Sequence, residues 1–200
     1  MTRSHLSCSA RRPVLSVALL SAFVCAGLAL CPKEARASGF DLGFDGNANA
    51  LLAPDPGPNN LSTLGTGFKL RFGDQFRLRY GIKLTPEVGW AFDHVFPANA
   101  GYPENLNRIF GGVRLGFGHR VVPTLYAHLG VGFRTDSVAP GVASVSDQGV
   151  SLDTGVAVDF HITRHLTIGP HAEYVFIDAP VLGSAGPQWI AFGGQLDVLF

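Results

Sequence analysis

Cysteine, charge and long apolar runs are all scarce in this sequence once its first residues are set aside. The three cysteines are Cys8, Cys25 and Cys31, so the rest of the 200-residue chain has no thiol. A disulfide framework, a cysteine metal site and a cysteine nucleophile are therefore excluded there. Charged residues make up only 15% of the chain, and the formal net charge is zero. Without a basic excess, nothing points to a nucleic-acid partner.

The first 37 residues have the layout of a secretory signal peptide. Three arginines and no acidic residue precede an apolar run over 14–30, and Ala35-Arg36-Ala37 then fits a small-x-small cleavage site. We predict cleavage between Ala37 and Ser38. A retained membrane anchor is the alternative, because the run is close to the shortest length that spans a bilayer.

Two further features of this leader point to export routes but are weak. Arg11-Arg12 hints at twin-arginine export, although Pro13 follows at once. Leu30 stands before Cys31, where a lipoprotein cleavage box has a small residue. Residues 38–200 are predicted to form a single domain, and they contain no apolar run long enough for a spanning helix.

Alternation of apolar and polar residues dominates the chain from 38 to 200, and this period of two indicates strands. In the fifth such segment, for example, Leu125, Leu129 and Phe133 share one face while His128 and Arg134 share the other. The pattern predicts eight strands, which start near Phe40, Leu64, Phe76, Ile109, Leu125, Val150, Leu166 and Ile190.

The connections between these strands alternate in length. Long, Pro-, Gly- or Asn-containing segments are predicted at 53–62, 94–105, 136–147 and 178–186, and short turns at 73–75, 119–120 and 162–164. Tyr80-Gly81 is an alternative position for the first short turn. Long loops at one end and short turns at the other are typical of an outer-membrane barrel, with both termini on the periplasmic side.

Alternation alone is compatible with two barrels that differ in which face points inward. A soluble barrel buries its apolar face, whereas a membrane barrel turns that face to lipid and its polar face to the lumen. Glycines are frequent on the polar face, where eight strands would crowd a narrow lumen, and aromatic residues lie near strand ends, as in interfacial girdles. We therefore expect an all-β, eight-stranded antiparallel up-and-down transmembrane β-barrel.

The charge layout favours the same solution. Predicted strands two to five carry basic residues on the polar face: Lys69, Arg71, Arg77, Arg79, Lys83, Arg108, Arg114 and Arg134. Strands six to eight carry acidic ones, Asp153, Asp159, Glu173 and Asp197, and strand one adds Asp41 and Asp45. Closure would set a basic wall opposite an acidic wall, and buried charges need such partners. Glu87 and Asp93 interrupt the basic half.

The C-terminal GGQLDVLF completes a resemblance to bacterial outer-membrane proteins of the eight-stranded OmpA/OmpX type. In that family the last strand ends on an aromatic residue with apolar residues at alternate positions before it. Phe192, Leu196, Val198 and Phe200 match this pattern, and Gly194 departs from it. The resemblance implies recognition of this strand by the barrel-assembly machinery, location in the outer membrane, and contact with its lipid and lipopolysaccharide.

Residues that could carry chemistry are few. The histidines show no metal-ligand spacing, and no cofactor is expected. Ser137, Ser144, Ser146 and His94 lie in predicted loops without a motif that would make them a nucleophile and base. The sequence therefore favours a non-enzymatic barrel with a structural or surface-interaction role. The alternatives are a small narrow channel, a lipid-modifying enzyme and a soluble periplasmic ligand-binding barrel.

Overall fold

Eight strands close into one antiparallel barrel in chain order. A computed structural model describes residues 36–53, 64–96, 104–136, 145–178 and 186–200. The strands are β1 (Arg36–Ala53), β2 (Leu64–Arg77), β3 (Ile82–Phe96), β4 (Glu104–Phe117), β5 (Val121–Asp136), β6 (Val145–His161), β7 (Leu166–Asp178) and β8 (Gln188–Leu199). β8 pairs with β1, for example Val198 with Leu42, which leaves no open sheet edge. The predicted eight-stranded up-and-down barrel is confirmed.

The two ends of the barrel differ as predicted. Short turns at 78–81, 118–120 and 162–165 lie at one end, here called the turn end, together with Phe200. The longer connections leave from the other end, here called the loop end. They are shorter than predicted between β3 and β4, because His94 and Asn105 pair within the sheet. Within the described ranges, no helix is long and apolar enough to cross a membrane.

The first short turn lies at Tyr80 and Gly81, not at residues 73–75 as predicted. β2 continues through that segment, where Asp74 pairs with Phe40 of β1. The chain reverses at a single 3₁₀ turn, Arg79–Gly81, in which φ is 62° at Tyr80 and 73° at Gly81. Two successive residues with positive φ suit a tight hairpin, and glycine adopts this conformation readily. Arg77 is therefore exposed at the turn end instead of buried inside the barrel, and Arg79 belongs to the turn itself.

Most charged side chains of the strands point into the barrel, and most large apolar side chains point out. Lys69 and Arg108 are 0% exposed, whereas Ile109 is 56% and Val88 is 50% exposed. This is the inside-out arrangement predicted for a membrane barrel, and it is the opposite of a soluble barrel with an apolar interior. The outward face is largely apolar through the middle of the sheet, where Leu70, Trp90, Ile109, Val131 and Val150 form one row of cross-strand pairs.

Glycine on the inner face makes room for these charged side chains. A Cβ atom at Gly43 would overlap Oδ1 of Asp197 and lie 2.6 Å from Cζ of Arg71. At Gly46, which faces outward on the same strand, a Cβ would have no neighbour within 4 Å. The two positions therefore differ in packing while they share a strand and a residue type.

We predict that Gly43→Ala destabilises the barrel and that Gly46→Ala does not. The extra methyl group at residue 43 has no space unless Arg71 or Asp197 moves, and such overpacking costs about 1–3 kcal/mol. Samples heated to increasing temperatures are compared by gel electrophoresis. The temperature at which the folded band converts to the unfolded band measures the difference in stability between the two variants. Equal conversion temperatures for the two variants would contradict the role given to Gly43.

Candidate functional site

The middle of the lumen contains two clusters of buried ion pairs. The loop-side cluster consists of Lys69, Asp93, Arg108, Asp153 and Glu173. Nη2 of Arg108 lies 2.8 Å from Oδ2 of Asp93, and its Nη1 lies 2.5 Å from Oδ1 of Asp153. Nζ of Lys69 contacts Glu173 and lies 3.5 Å from Oδ2 of Asp153. Strands from opposite sides of the barrel are thus linked through its centre.

The turn-side cluster is built around Arg71. Its guanidinium group donates to Asp45 through two nitrogens, at 2.8 and 3.0 Å. It also donates to Oε2 of Glu87 at 3.1 Å and to Oδ1 of Asp197 at 2.7 Å. Arg114 lies 3.7 Å from both Glu87 and Asp197. One fully buried arginine therefore joins carboxylates from β1, β3 and β8.

Aromatic side chains connect the two clusters. The rings of Phe110 and Tyr126 lie 4.6 and 5.2 Å from the ring of His128. His128 contacts Glu87 through Nε2 at 2.6 Å, and the Tyr126 hydroxyl donates to Glu173 at 3.2 Å. Because His128 touches the turn-side cluster and Tyr126 the loop-side cluster, the lumen charges form one continuous network.

An apolar cluster occupies the lumen at the loop end. Its members, contributed by β3, β4, β7 and β8, are Val95, Leu106, Val175, Ile177, Trp189 and Ala191. The Trp189 ring lies over the loop-side cluster, with its centroid 5.2 Å from Cζ of Arg108. These residues share the inward parity of the lumen charges, so alternation alone could have identified them. Sequence reasoning missed them because the inner face was expected to be polar throughout.

The turn end of the lumen contains a small polar cavity of about 30 Å³. Asp41, Lys83, Asp159, His161 and Thr167 contribute to its wall. Nδ1 of His161 lies 2.7 Å from the Thr167 hydroxyl, and Asp159 accepts a hydrogen bond from Thr124 at 2.7 Å. A polar cavity of this size can hold ordered water but no larger solute.

The charged residues singled out in the sequence thus divide by position. Lys69, Arg71, Arg108, Arg114, Asp153, Glu173 and Asp197 meet in the two clusters, together with Asp45, Glu87 and Asp93. Lys83 and Asp159 line the cavity, and Arg134 is buried. Arg77 is exposed at the turn end. Arg71 contacts Asp45 of the adjacent β1 and Glu87 of β3, so the two charge walls are less separate than expected. Asn49, Tyr126, His128 and Gln195 were missed as members of the network.

Of the residues considered for catalysis, the two that the structure describes, His94 and Ser146, do not come together. His94 contacts Asn105 through Nδ1 at 2.7 Å, and both face outward. The cross-strand pairs run from Asn105 to Thr135 and from Thr135 to Ser146, so two strands separate Ser146 from His94. Ser137 and Ser144 lie outside the described residues. In the part of the chain that the structure describes, no group of His, Asp and Glu side chains has the arrangement of a metal site.

Comparison with known proteins identifies the fold but no sequence family. No protein-family model matches the sequence, and no curated protein matches it significantly. Among solved structures, Neisserial surface protein A (NspA) aligns with a TM-score of 0.62 at 17% identity, over 82% of this chain and 99% of that one. The outer-membrane enzyme PagL aligns with a TM-score of 0.51 at 11% identity, over 78% of this chain and 99% of that one. The attachment invasion locus protein Ail of Yersinia pestis aligns at 0.46 with 14% identity, over 80% and 99%.

The fold and the inside-out arrangement together define the class of protein. The chain has the architecture of the small bacterial outer-membrane β-barrels, as the resemblance in its sequence implied. At these identities the likeness concerns the fold alone, since barrels of one architecture serve different functions.

We predict that Arg71→Met destabilises the barrel by about 3–5 kcal/mol, because it leaves Asp45, Glu87 and Asp197 buried without their shared cation. The control is Arg77→Met on the same strand, whose exposed side chain should matter by less than about 0.5 kcal/mol. Urea unfolding in lipid vesicles, followed by tryptophan fluorescence, measures both.

A third variant tests the geometry of the interaction. Arg71→Lys keeps one positive charge but loses the forked donor, so its stability should fall between those of Arg71→Met and Arg77→Met. If Arg71→Met unfolds at the same urea concentration as Arg77→Met, the turn-side cluster does not stabilise the barrel.

Proposed function

We propose that the protein is a non-enzymatic barrel of the bacterial outer membrane with a structural or surface-interaction role. The observation that carries this proposal is the filled lumen, in which ion pairs join opposite strands below an apolar cluster. Such an interior holds the strands in place. Among the described residues it leaves little room for solute, which argues against a channel.

The outward face supports a location in lipid. Large apolar side chains such as Phe44, Ile109, Leu125 and Val156 are about half exposed in the isolated chain. In water such a continuous belt would be a liability, whereas in a bilayer it matches the hydrocarbon core. Export of the chain through its predicted signal peptide, residues 1–37, agrees with this location.

A rigid barrel suits a surface role because it holds its longer connections at one end. The segments 54–63, 97–103, 137–144 and 179–187 contain no Lys or Arg, and Asp55 is their one charged residue. Any contact of these segments with lipopolysaccharide would therefore use hydrogen bonds, apolar groups or bridging divalent cations, in place of direct ion pairs to its phosphates.

We expect the protein to remain in isolated membranes when these are washed at alkaline pH. After purification it should give no discrete conductance steps in planar lipid bilayers. A general porin under the same conditions provides the positive control for conductance. Reproducible steps of one size would contradict the filled lumen and favour the channel. Release by the alkaline wash would contradict the location in the membrane.

We also propose that β8 carries the signal for assembly. Phe192, Leu196, Val198 and Phe200 share the outward face, and the backbone N–H of Phe200 donates to the carbonyl of Phe40 at 2.9 Å. The Phe200 ring lies 6.2 Å from that of Phe40, which in turn lies 6.4 Å from that of Phe72. The last residue is thus continuous with the aromatic edge of the barrel.

We predict that Phe200→Ala lowers the amount of barrel inserted in cells more than Phe117→Ala does. Both changes remove an exposed phenyl ring at the turn end, but Phe200 alone belongs to the C-terminal pattern. Quantitative blotting of outer-membrane fractions, with heat-modifiable migration as the test of folding, measures the difference. Equal insertion of the two variants would leave β8 without a special role in assembly.

A further inference from the structure

The Lys and Arg residues beyond residue 36 fall into two spatial groups. One group lies buried in the lumen: Lys69, Arg71, Arg108, Arg114 and Arg134. The other belongs to the turn end: Arg77, Arg79, Lys83, Arg120 and Arg164. Among the described residues beyond 36, the exposed Lys and Arg side chains are therefore at the turn end of the barrel.

Every short turn combines an exposed arginine with an exposed apolar side chain. Arg77 is followed by Tyr80, which is 95% exposed, and Arg120 is followed by Val121, which is 53% exposed. In the third turn Arg164 follows Ile162, which is 57% exposed. The segments 77–83, 117–121 and 161–166 contain no acidic residue.

These three arginines are available to a partner. Arg77, Arg120 and Arg164 are exposed, whereas the lumen cations are held by carboxylates. Arg120 precedes Val121, which pairs with the lipid-facing Phe160, and Arg77 follows Phe76 at the end of β2. Arg164 lies in the third turn and also contributes to the wall of the turn-end cavity. An extended arginine at this level reaches the headgroup layer while its stem remains against apolar surface.

We propose that Arg77, Arg120 and Arg164, here called the arginine rim, bind the phosphate groups of anionic phospholipids in the leaflet at the turn end. A guanidinium group forms forked, charge-assisted hydrogen bonds with phosphate oxygens. The adjacent Tyr80, Val121 and Ile162 favour a lipid over a soluble polyanion, because exposed apolar side chains gain from contact with acyl chains but not from a hydrated polymer. The inference rests on the proposed membrane location and adds a lipid preference to it.

The test compares lipid selectivity of the wild-type protein and an arginine-rim variant. The full mature chain is folded into vesicles of phosphatidylcholine with phosphatidylglycerol, and spin-labelled lipids report the preference at the protein surface. For the wild type we expect phosphatidylglycerol to be favoured over phosphatidylcholine. The triple variant R77Q/R120Q/R164Q should lose this preference, by up to about fivefold per arginine at moderate ionic strength.

Two controls isolate the charge at the rim. R77K/R120K/R164K keeps the charge and should retain most of the preference. Asp178→Asn removes one negative charge at the loop end, away from the arginine rim, and should leave the lipid preference unchanged. Should the triple glutamine variant fold poorly, the single variant Arg120→Gln provides the same comparison with a smaller change.

The outcomes separate this inference from the proposed function. Failure of the wild type to insert would contradict the membrane location itself, whereas insertion without lipid preference would overturn only the arginine rim. An unchanged preference in the glutamine variant, or its loss in the lysine variant, would also overturn it. So would arginine-dependent binding to isolated peptidoglycan without lipid selectivity, since the partner would then be a polymer. Competition by inorganic phosphate at constant ionic strength, down to the level of the glutamine variant, would identify a free-anion site in place of a lipid site.

Discussion

The pairing of buried charges in a closed, narrow lumen is the constraint on which the rest of this structure depends. Removing an ion from water costs several kcal/mol even in a relaxed protein interior, so each lumen cation requires carboxylates at close range. Arg71 satisfies this requirement with Asp45, Glu87 and Asp197, which come from three different strands. Slipping any of those strands by one residue would turn its carboxylate out to the opposite face. The ion pairs therefore help to fix the register of the barrel as well as fill it.

Closure and alternation follow from the same requirement. A strand with lipid on one side and a charged lumen on the other must alternate strictly, and a closed sheet leaves no backbone group unpaired within the bilayer. The interior of an eight-stranded barrel is about wide enough for side chains alone. Glycines such as Gly43 therefore leave space beside the arginines that the lumen must contain. Composition, strand pattern and ion pairing are three consequences of one geometry.

The sequence was informative wherever a residue's role depends on parity. Strand number and the shared face of Lys69, Arg108 and Glu173 follow from alternation, because a period of two admits only two faces. Which face meets lipid was predicted from the positions of glycines, aromatic residues and charges. The first short turn could not be found in this way. Both candidate positions contain glycine, and Asp74 interrupts the apolar face as a turn residue would. The turn lies at Tyr80-Gly81 because the backbone of residues 73–75 pairs with β1. The partners of each charge were likewise beyond the sequence, since they depend on strand tilt and on side-chain reach across the lumen.

The apolar cluster around Trp189 shows why a polar lumen is an incomplete description of this barrel. A network of ion pairs open to water at both ends would exchange its internal contacts for hydration and lose much of its strength. The Trp189 ring lies directly over Arg108 and excludes water from that side of the loop-side cluster. The turn end instead keeps a small polar cavity beside Lys83 and Asp159. The lumen is thus more apolar at the loop end and more polar at the turn end. This gradient parallels the distribution of exposed cations, which among the described residues beyond 36 lie at the turn end. The polar end of the lumen is thus also the end that would present positive charge to phospholipid headgroups.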